Sequence, residues 1–280
     1  MNRSRVARVC LGLALLVFPV ALANAQTPDP EAGEYRPTVG QAGKDVVWVP
    51  TPESLVQKML DKAKVTSQDY VVDLGSGDGR NVIAAAKRGA RALGVEYNPD
   101  MVALSRRNAE QQGVSDKATF VEGDMYAAEF SDATVLALFL LPQNMLKLRE
   151  KFFNLKPGSR IVANTFGMEG WEPDEKDVEH EDDCTSWCTV LLWIVPAKVE
   201  GMWRLPQGEL QLTQDFQMIS GSLSSRGISE PLTNGRLRGN DITFTVGSAE
   251  YAGVVNGGAI TGTVRTSGGS TSWSASRVAQ

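Results

Sequence analysis

The apolar and polar positions of this 280-residue chain change rhythm partway along. From residue 54 to about 166, short apolar runs alternate with stretches of helical period. Residues 54–64 carry Leu55, Met59 and Ala63 at helical spacing, with Thr51 ahead of Pro52 and Glu53 as a plausible cap. Residues 70–74 read as a buried strand, 81–87 as the helix after a glycine turn, and 90–96 as a second strand ending in an acid. A helix over 101–112, closed by Gly113, precedes a third strand over 119–124. The nearly unbroken apolar run 133–141 fits a central parallel strand buried on both faces. Residues 143–155 return to helix, and Pro157-Gly158 turns the chain into a fifth strand over 160–166. This alternation predicts an α/β layer with a mostly parallel sheet and helices on both faces. From about Pro196 the period drops to two, as in residues 209–213, 241–246 and 259–264. Asn234-Gly235, Gly239-Asn240 and Asn256-Gly257-Gly258 supply hairpin turns between such runs. A small all-β C-terminal domain follows, as a barrel or a sandwich.

The flanks add an address. Arg3, Arg5 and Arg8 precede an apolar run over residues 9–22, and Ala23-Asn24-Ala25 supplies a small-x-small site. This pattern predicts a secretory signal peptide cleaved after Ala25, a periplasmic or secreted mature protein, and no stable membrane span once the signal is gone. The expected organisation is signal peptide 1–25, an arm over 26–49, the α/β domain over 50–196 and the β domain over 197–280. Residues 26–45 are rich in Pro, Gly and Gln without a period and read as a mobile arm. Residues 46–52 are apolar and end in two prolines, so they serve either as a lid over the glycine turn or as an N-terminal strut. The net charge of −5, with no basic stripe, excludes a general nucleic-acid binder.

The chemistry sits around Asp73-Leu74-Gly75-Ser76-Gly77-Asp78-Gly79-Arg80. Strand, glycine turn and helix make half of a nucleotide-binding βαβ unit, that is, a Rossmann-like sheet. A dinucleotide fingerprint requires glycine three places after Gly77, where this chain has Arg80. Asp73 and Asp78 flank the turn, which would repel a pyrophosphate but suits a ligand carrying an ammonium and a sulfonium. Glu96 stands about 20 residues on, placed for a ribose diol, and Asp124 ends the third strand, where an adenine amino group would lie. These features specify S-adenosylmethionine rather than NAD. Gly75, Ser76, Gly77, Tyr97 and Met125 complete the expected cofactor site. Two bland roles stay open: Asp73 capping amides of the turn, and Glu96 or Asp124 as solvated strand ends.

The segment 172–183 holds eight acids around His180, the sole histidine. It reads as a solvated loop, or as a charge that selects a cationic substrate. Cys184 and Cys188 read as a local disulfide, with a metal site shared with His180 as the alternative; no metal is expected.

The run Val72-Asp73-Leu74-Gly75-Ser76-Gly77-Asp78-Gly79, with Val95-Glu96-Tyr97-Asn98 and Glu122-Gly123-Asp124-Met125, resembles the class I S-adenosylmethionine-dependent methyltransferases. More narrowly, Val49-Pro50-Thr51, Asp78-Gly79-Arg80, Glu96-Tyr97-Asn98-Pro99, residues 132–142 and Leu155-Lys156-Pro157-Gly158 look like the ATP-synthase-c-subunit lysine methyltransferase family and its bacterial relatives. The resemblance implies cofactor contacts at Asp73, Gly75, Gly77, Glu96 and Asp124, and an acceptor amine beside Leu140, Leu141 and Pro142. The Asn-Pro-Pro-Tyr of DNA and glutamine methyltransferases is missing there, while the signal peptide and β domain depart from the lysine-methylating relatives. Methyl transfer needs alignment and a desolvated acceptor more than a general base, so no catalytic residue is assigned. Two functions remain: an exported methyltransferase acting on a protein or small amine, and a non-catalytic sensor or scaffold that binds the cofactor. Oligomeric state is not legible.

Overall fold

The computed structural model describes residues 35–179 and 183–278. The predicted signal peptide, with Cys10 and the site after Ala25, lies outside the described residues, as does His180. Among the described residues no helix is long and apolar enough to cross a membrane.

The α/β layer runs α1 (Glu53–Lys62), β1 (Tyr70–Leu74), α2 (Arg80–Lys87), β2 (Arg91–Glu96), α3 (Pro99–Gln111), β3 (Ala118–Glu122), β4 (Val135–Leu138), α4 (Pro142–Phe153), β5 (Arg160–Asn164), β6 (Glu175–Val178) and β7 (Thr189–Ile194). Its seven strands are ordered β3-β2-β1-β4-β5-β7-β6. The first five are parallel, and β7 is antiparallel to both β5 and β6. Strand order reverses between β1 and β4, the switch point where open α/β sheets leave a crevice at their carboxyl ends. The sheet buries β1 and β4 on both faces, which is why their residues read as continuous apolar runs.

Three expectations shift. The predicted central strand 133–141 is paired only over β4, and Phe139, Leu140 and Leu141 leave the sheet at its carboxyl end. Apolarity marks burial, and a pocket wall is as apolar as a strand. The cap at α1 is not Thr51: the N-cap is Pro52, and the Ser54 amide and hydroxyl instead donate to the Asp183 carboxylate. Segment 172–183 is not simply a solvated loop, because it contains the edge strand β6. Four of its acids are matched by cations: Asp174 with Arg236 at 2.7 Å, Glu175 with Arg238 at 2.5 Å and Lys62 at 3.1 Å, Asp177 with Lys62, and Glu179 with Lys58 at 3.7 Å. The charge of these four acids is used internally. Charged side chains also blunt an edge strand against pairing with other chains.

The remaining strands are β8 (Gly201–Leu205), β9 (Gly208–Asp215), β10 (Met218–Ser225), β11 (Ile228–Arg238), β12 (Asp241–Val246), β13 (Ala249–Asn256), β14 (Ala259–Thr266) and β15 (Gly269–Arg277). Each pairs antiparallel with the next, and β15 closes on β8. Of the two predicted forms the domain is a barrel. Its interior is a packed core: Phe244, Tyr251 and Trp273 stack and edge one another at 4.8–5.6 Å, above buried Trp203, Leu210, Leu212, Leu237, Ile242 and Ile260. The barrel meets the α/β layer through Phe216, which stacks on Trp171 at 4.9 Å and edges Phe153 at 5.2 Å. Gln217 donates to the Glu172 carbonyl, and Arg236 reaches the fully buried carboxylate of Asp174.

This contact is expected to carry stability rather than chemistry. Trp171→Ala should lower the unfolding free energy by about 3–5 kcal/mol, the usual cost of emptying a buried tryptophan site. Urea denaturation followed by circular dichroism measures it.

Candidate functional site

The glycine turn after β1 is built on left-handed backbone. Gly75, Gly77 and Gly79 have φ of 74°, 55° and 86°, angles that side chains with a Cβ resist. At Gly77 a Cβ would also fall 2.7 Å from the indole nitrogen of Trp48, so the turn and the segment above it touch directly. The turn delivers its backbone to a cleft at the switch point, lined by Asp73, Gly75, Gly77, Asp78, Glu96, Tyr97, Asp124 and Met125 among others. The cleft measures about 880 Å³ with its open mouth. Of the residues expected at the cofactor, Ser76 is the exception. Its hydroxyl is buried toward β2, where it would collide with any Cβ at Gly94, and it does not line the cleft.

Asp73 closes the floor at the end of β1. It is 3% exposed, and its described hydrogen bond is one donated by the Asn81 amide at 3.1 Å. Burial, first of all, pushes its carboxyl well above the ordinary carboxylate range; the Asn81 hydrogen bond opposes this, and the nearby charges of Glu96 and Asp78 add to it. Capping of turn amides, the bland role open for Asp73, falls instead to Glu96. Its two oxygens accept from the amides of Gly77 at 2.9 Å and Asn98 at 3.0 Å. Each carboxylate oxygen keeps a further lone pair, so Glu96 is fixed in place and still able to accept from a diol. Asp78 is turned to Arg80, which grips it through Nε at 3.0 Å and a terminal nitrogen at 2.6 Å while donating to the Thr51 carbonyl. The charge of Asp78 therefore locks the helix start to the N-terminal segment.

That segment lies over the cleft as a lid, and residues 35–45, expected as an arm, take part in its contacts. Residues 41–51 line the cleft. They are shaped by local hydrogen bonds: Gly40 N to Trp48 O, Trp48 N to Gln41 O, and Gly43 N to Val46 O. These are turn interactions, which leave no hydrophobic period to read. Lys44 of the lid donates to Asp124 at 2.6 Å and lies 4.9 Å from the ring centre of Tyr97. This contact and the Tyr126 amide hold the Asp124 carboxyl below its usual range.

Beside the cleft lies a second pocket, lined by the apolar and aromatic residues Val46, Val47, Val49, Phe139, Leu140, Leu141, Phe166 and Trp187. Four of these residues, Val46, Val47, Val49 and Phe139, also line the cleft. Of the tentative acceptor residues, Leu140 and Leu141 are here, whereas Pro142 opens α4 and does not line the pocket. Sequence reasoning missed Asn81, Lys44 and the aromatic trio Phe139, Phe166 and Trp187. Only Phe139 left a signal, as the end of an apolar run too long for its strand. Cys184 and Cys188 form the disulfide, with Cα atoms 5.8 Å apart, so their sulfurs are not available to a metal.

Comparison with known proteins agrees with this geometry. The family profile described as the ANTKMT methyltransferase domain matches residues 73–175. A protein-lysine N-methyltransferase of Saccharolobus islandicus is 40% identical over 153 residues, spanning 54% of this chain and 94% of that protein. The ATP-synthase-c-subunit lysine N-methyltransferase of Rattus norvegicus is 42% identical, over 40% of this chain and 52% of its own length. The crystal structure of an RNA methyltransferase from Salinibacter ruber, with S-adenosyl-L-homocysteine bound, is 44% identical, superposes with a TM-score of 0.50, and covers 54% of this chain and 96% of that one.

The residues present fit S-adenosylmethionine. A buried carboxylate lacking a cation, at the cleft floor, matches the ligand's ammonium, and Glu96 is oriented for its ribose. The raised Asp73 pKa has a signed consequence. The folded protein holds a proton that the unfolded chain would release, so its stability without ligand falls as pH rises from the ordinary carboxylate range through the raised value. Asp73→Asn should remove this dependence, raise the melting temperature by an amount that grows between pH 5 and pH 8, and abolish stabilisation by S-adenosylhomocysteine; thermal melts across that range check all three. With its glycine turn, its acids and a relative matched over nearly its whole length, the chain belongs to the class I S-adenosylmethionine-dependent methyltransferases, in the family that includes the protein-lysine N-methyltransferases.

Proposed function

We propose that this methyltransferase is exported and that its acceptor is the side-chain amine of a protein lysine. The observation that carries the acceptor is the pocket beside the cofactor cleft: eight apolar or aromatic residues, with no charged group among them. A lysine amine must lose its proton before it can act as a nucleophile. Desolvation by apolar walls lowers an ammonium's pKa, and a neighbouring cation favours the same neutral form. S-Adenosylmethionine, when bound, supplies an activated methyl on sulfur, which the acceptor lone pair takes in line while the S–C bonding pair stays on sulfur. The protein's own part is positional. Asp73 and Glu96 hold the cofactor at its ammonium and its ribose, the lid segment and Phe139 form the wall shared by the two ligands, and the proton leaves to solvent from the pocket mouth.

Two relatives carry protein-lysine activities in their names and one structure is named an RNA methyltransferase. The net charge of −5 favours a cationic protein acceptor over a polyanion. Export is supported by the basic and apolar N-terminal pattern and by the Cys184–Cys188 disulfide, a bond that persists in oxidising compartments.

Calorimetry on the mature chain should show S-adenosylhomocysteine binding. Two charge-assisted contacts at about 1.5–3 kcal/mol each make the loss in Asp73→Ala/Glu96→Ala at least about 100-fold. Tritiated methyl groups should be recovered on lysine after hydrolysis of acceptor protein and not on RNA; label on RNA alone would overturn the acceptor. N-terminal sequencing of protein from the cell envelope should begin at Gln26, and recovery of the intact N-terminus from the cytoplasm would overturn export.

A further inference from the structure

We infer that Trp187 is a specificity-determining residue of the acceptor site, brought there by the Cys184–Cys188 disulfide to complete an aromatic enclosure for an alkylammonium side chain. The inference rests on the reading of the acceptor as an amine and adds to it a residue and a device. Trp187 leaves 46% of its surface exposed, so its indole is open to a ligand at the pocket. It sits in the five-residue turn closed by the disulfide, with φ of +56°. Cys184 at the base of that turn is buried in the same core as Val190 and Leu192 of β7, so the turn is tied to the sheet. The indole lies 6.2 Å from the ring of Phe139 at 56°, and the ring of Phe166 lies 6.0 Å from Phe139 on a nearly parallel plane, 15° apart. Phe166 is held by a second left-handed residue, Thr165 at φ +59°, whose amide donates to Thr189 O and whose hydroxyl accepts from the Thr189 amide.

One left-handed non-glycine residue in the pocket wall, Trp187, and another immediately before the wall residue Phe166 are a costly arrangement, of the kind found where geometry serves function. Aromatic faces carry negative quadrupoles that attract alkylammonium groups, and methylated amines are the usual cargo of such enclosures. Three rings with no carboxylate among them bind the lysine cation weakly enough to let it lose its proton, yet still retain the side chain between successive methylations. The pocket shares Val46, Val47, Val49 and Phe139 with the cofactor cleft, so an amine among the rings faces the donor side. The enclosure therefore depends on a bond that only oxidation makes.

The probe is a peptide bearing Nε-trimethyl-lysine, titrated calorimetrically into the full mature chain saturated with S-adenosylhomocysteine. Wild type should bind it. Trp187→Ala should weaken binding about tenfold or more, Trp187→Phe should restore most of it, and S-adenosylhomocysteine affinity should be the same in all three. The latter also reports that each variant is folded. Cys184→Ser/Cys188→Ser should weaken the probe in the same direction, and a reductant should weaken wild type but leave that double variant unchanged. In steady-state assays the KM for the lysine acceptor should rise in Trp187→Ala more than kcat falls. Equal probe binding by wild type and Trp187→Ala, or no binding by wild type at millimolar probe, overturns the inference. If wild type transfers no methyl group to lysine yet binds the probe in a Trp187-dependent way, the site stands and the acceptor reading fails.

Discussion

A carboxylate buried without a cation is the constraint around which the α/β layer is arranged. Asp73 sits at the end of a central strand, beneath a turn whose three glycines leave space above it. A fold optimised for stability alone would place an apolar residue or an asparagine there, because desolvating a charge is among the larger penalties a core can carry. The surroundings compound it: the charges of Glu96 and Asp78 help to keep Asp73 protonated until a cation arrives, and the neighbouring Asn81 leaves its side-chain oxygen buried and unpartnered. A cationic ligand at the floor would offset both the burial of this carboxyl and the nearby negative charge. The site is thus held in a state of unmet demand for positive charge, which is a physical account of selectivity for a sulfonium cofactor over a phosphate one.

The surrounding charges are disposed so that this demand is not met from within. Arg80, the cation nearest in sequence, is turned away to Asp78 and the Thr51 carbonyl. Lys44 reaches Asp124 instead of the floor. Four acids of segment 172–179 are matched by Lys58, Lys62, Arg236 and Arg238, two of them from the barrel. The barrel's described contacts with the α/β layer include Trp171, Phe153, Arg149, the Glu172 carbonyl and this acid edge. Its role at that edge is to cover an aromatic surface and neutralise a strand that would otherwise carry uncompensated charge.

How much of this was legible depends on whether a feature is periodic, local or convergent. The parallel strands and the helices after them show in the hydrophobic rhythm because each buries one stripe or a whole run. Asp73, Gly75, Gly77 and Glu96 were legible because their spacing is set by a single strand-turn-helix unit and the next strand end. The lid was only half legible: residues 46–52 announced themselves as apolar, but residues 35–45 are held by turn hydrogen bonds and one ion pair, which have no period. Edge strand β6 reads as a charged loop because its pairing is with β7 on one side and with cations from α1 and β11 on the other. Asn81 was invisible for a different reason: nothing in a helix sequence says which residue points back under the preceding strand.

The aromatic pocket is the limiting case, since Phe139, Phe166 and Trp187 come from three loops and share no spacing. Each has an ordinary reason to be apolar where it stands. Phe139 finishes a core strand, Phe166 follows another, and Trp187 sits in a turn whose cysteines alone attract notice. Their convergence follows from topology: β4, β5 and β7 are successive neighbours in the sheet, and β7 runs antiparallel to β5. The chain entering β7 therefore starts at the same sheet end where β4 and β5 finish. An antiparallel final strand is what brings the disulfide turn to the cofactor side. Had β7 been parallel, the turn would lie at the opposite end of the sheet, and neither cysteine could influence the acceptor.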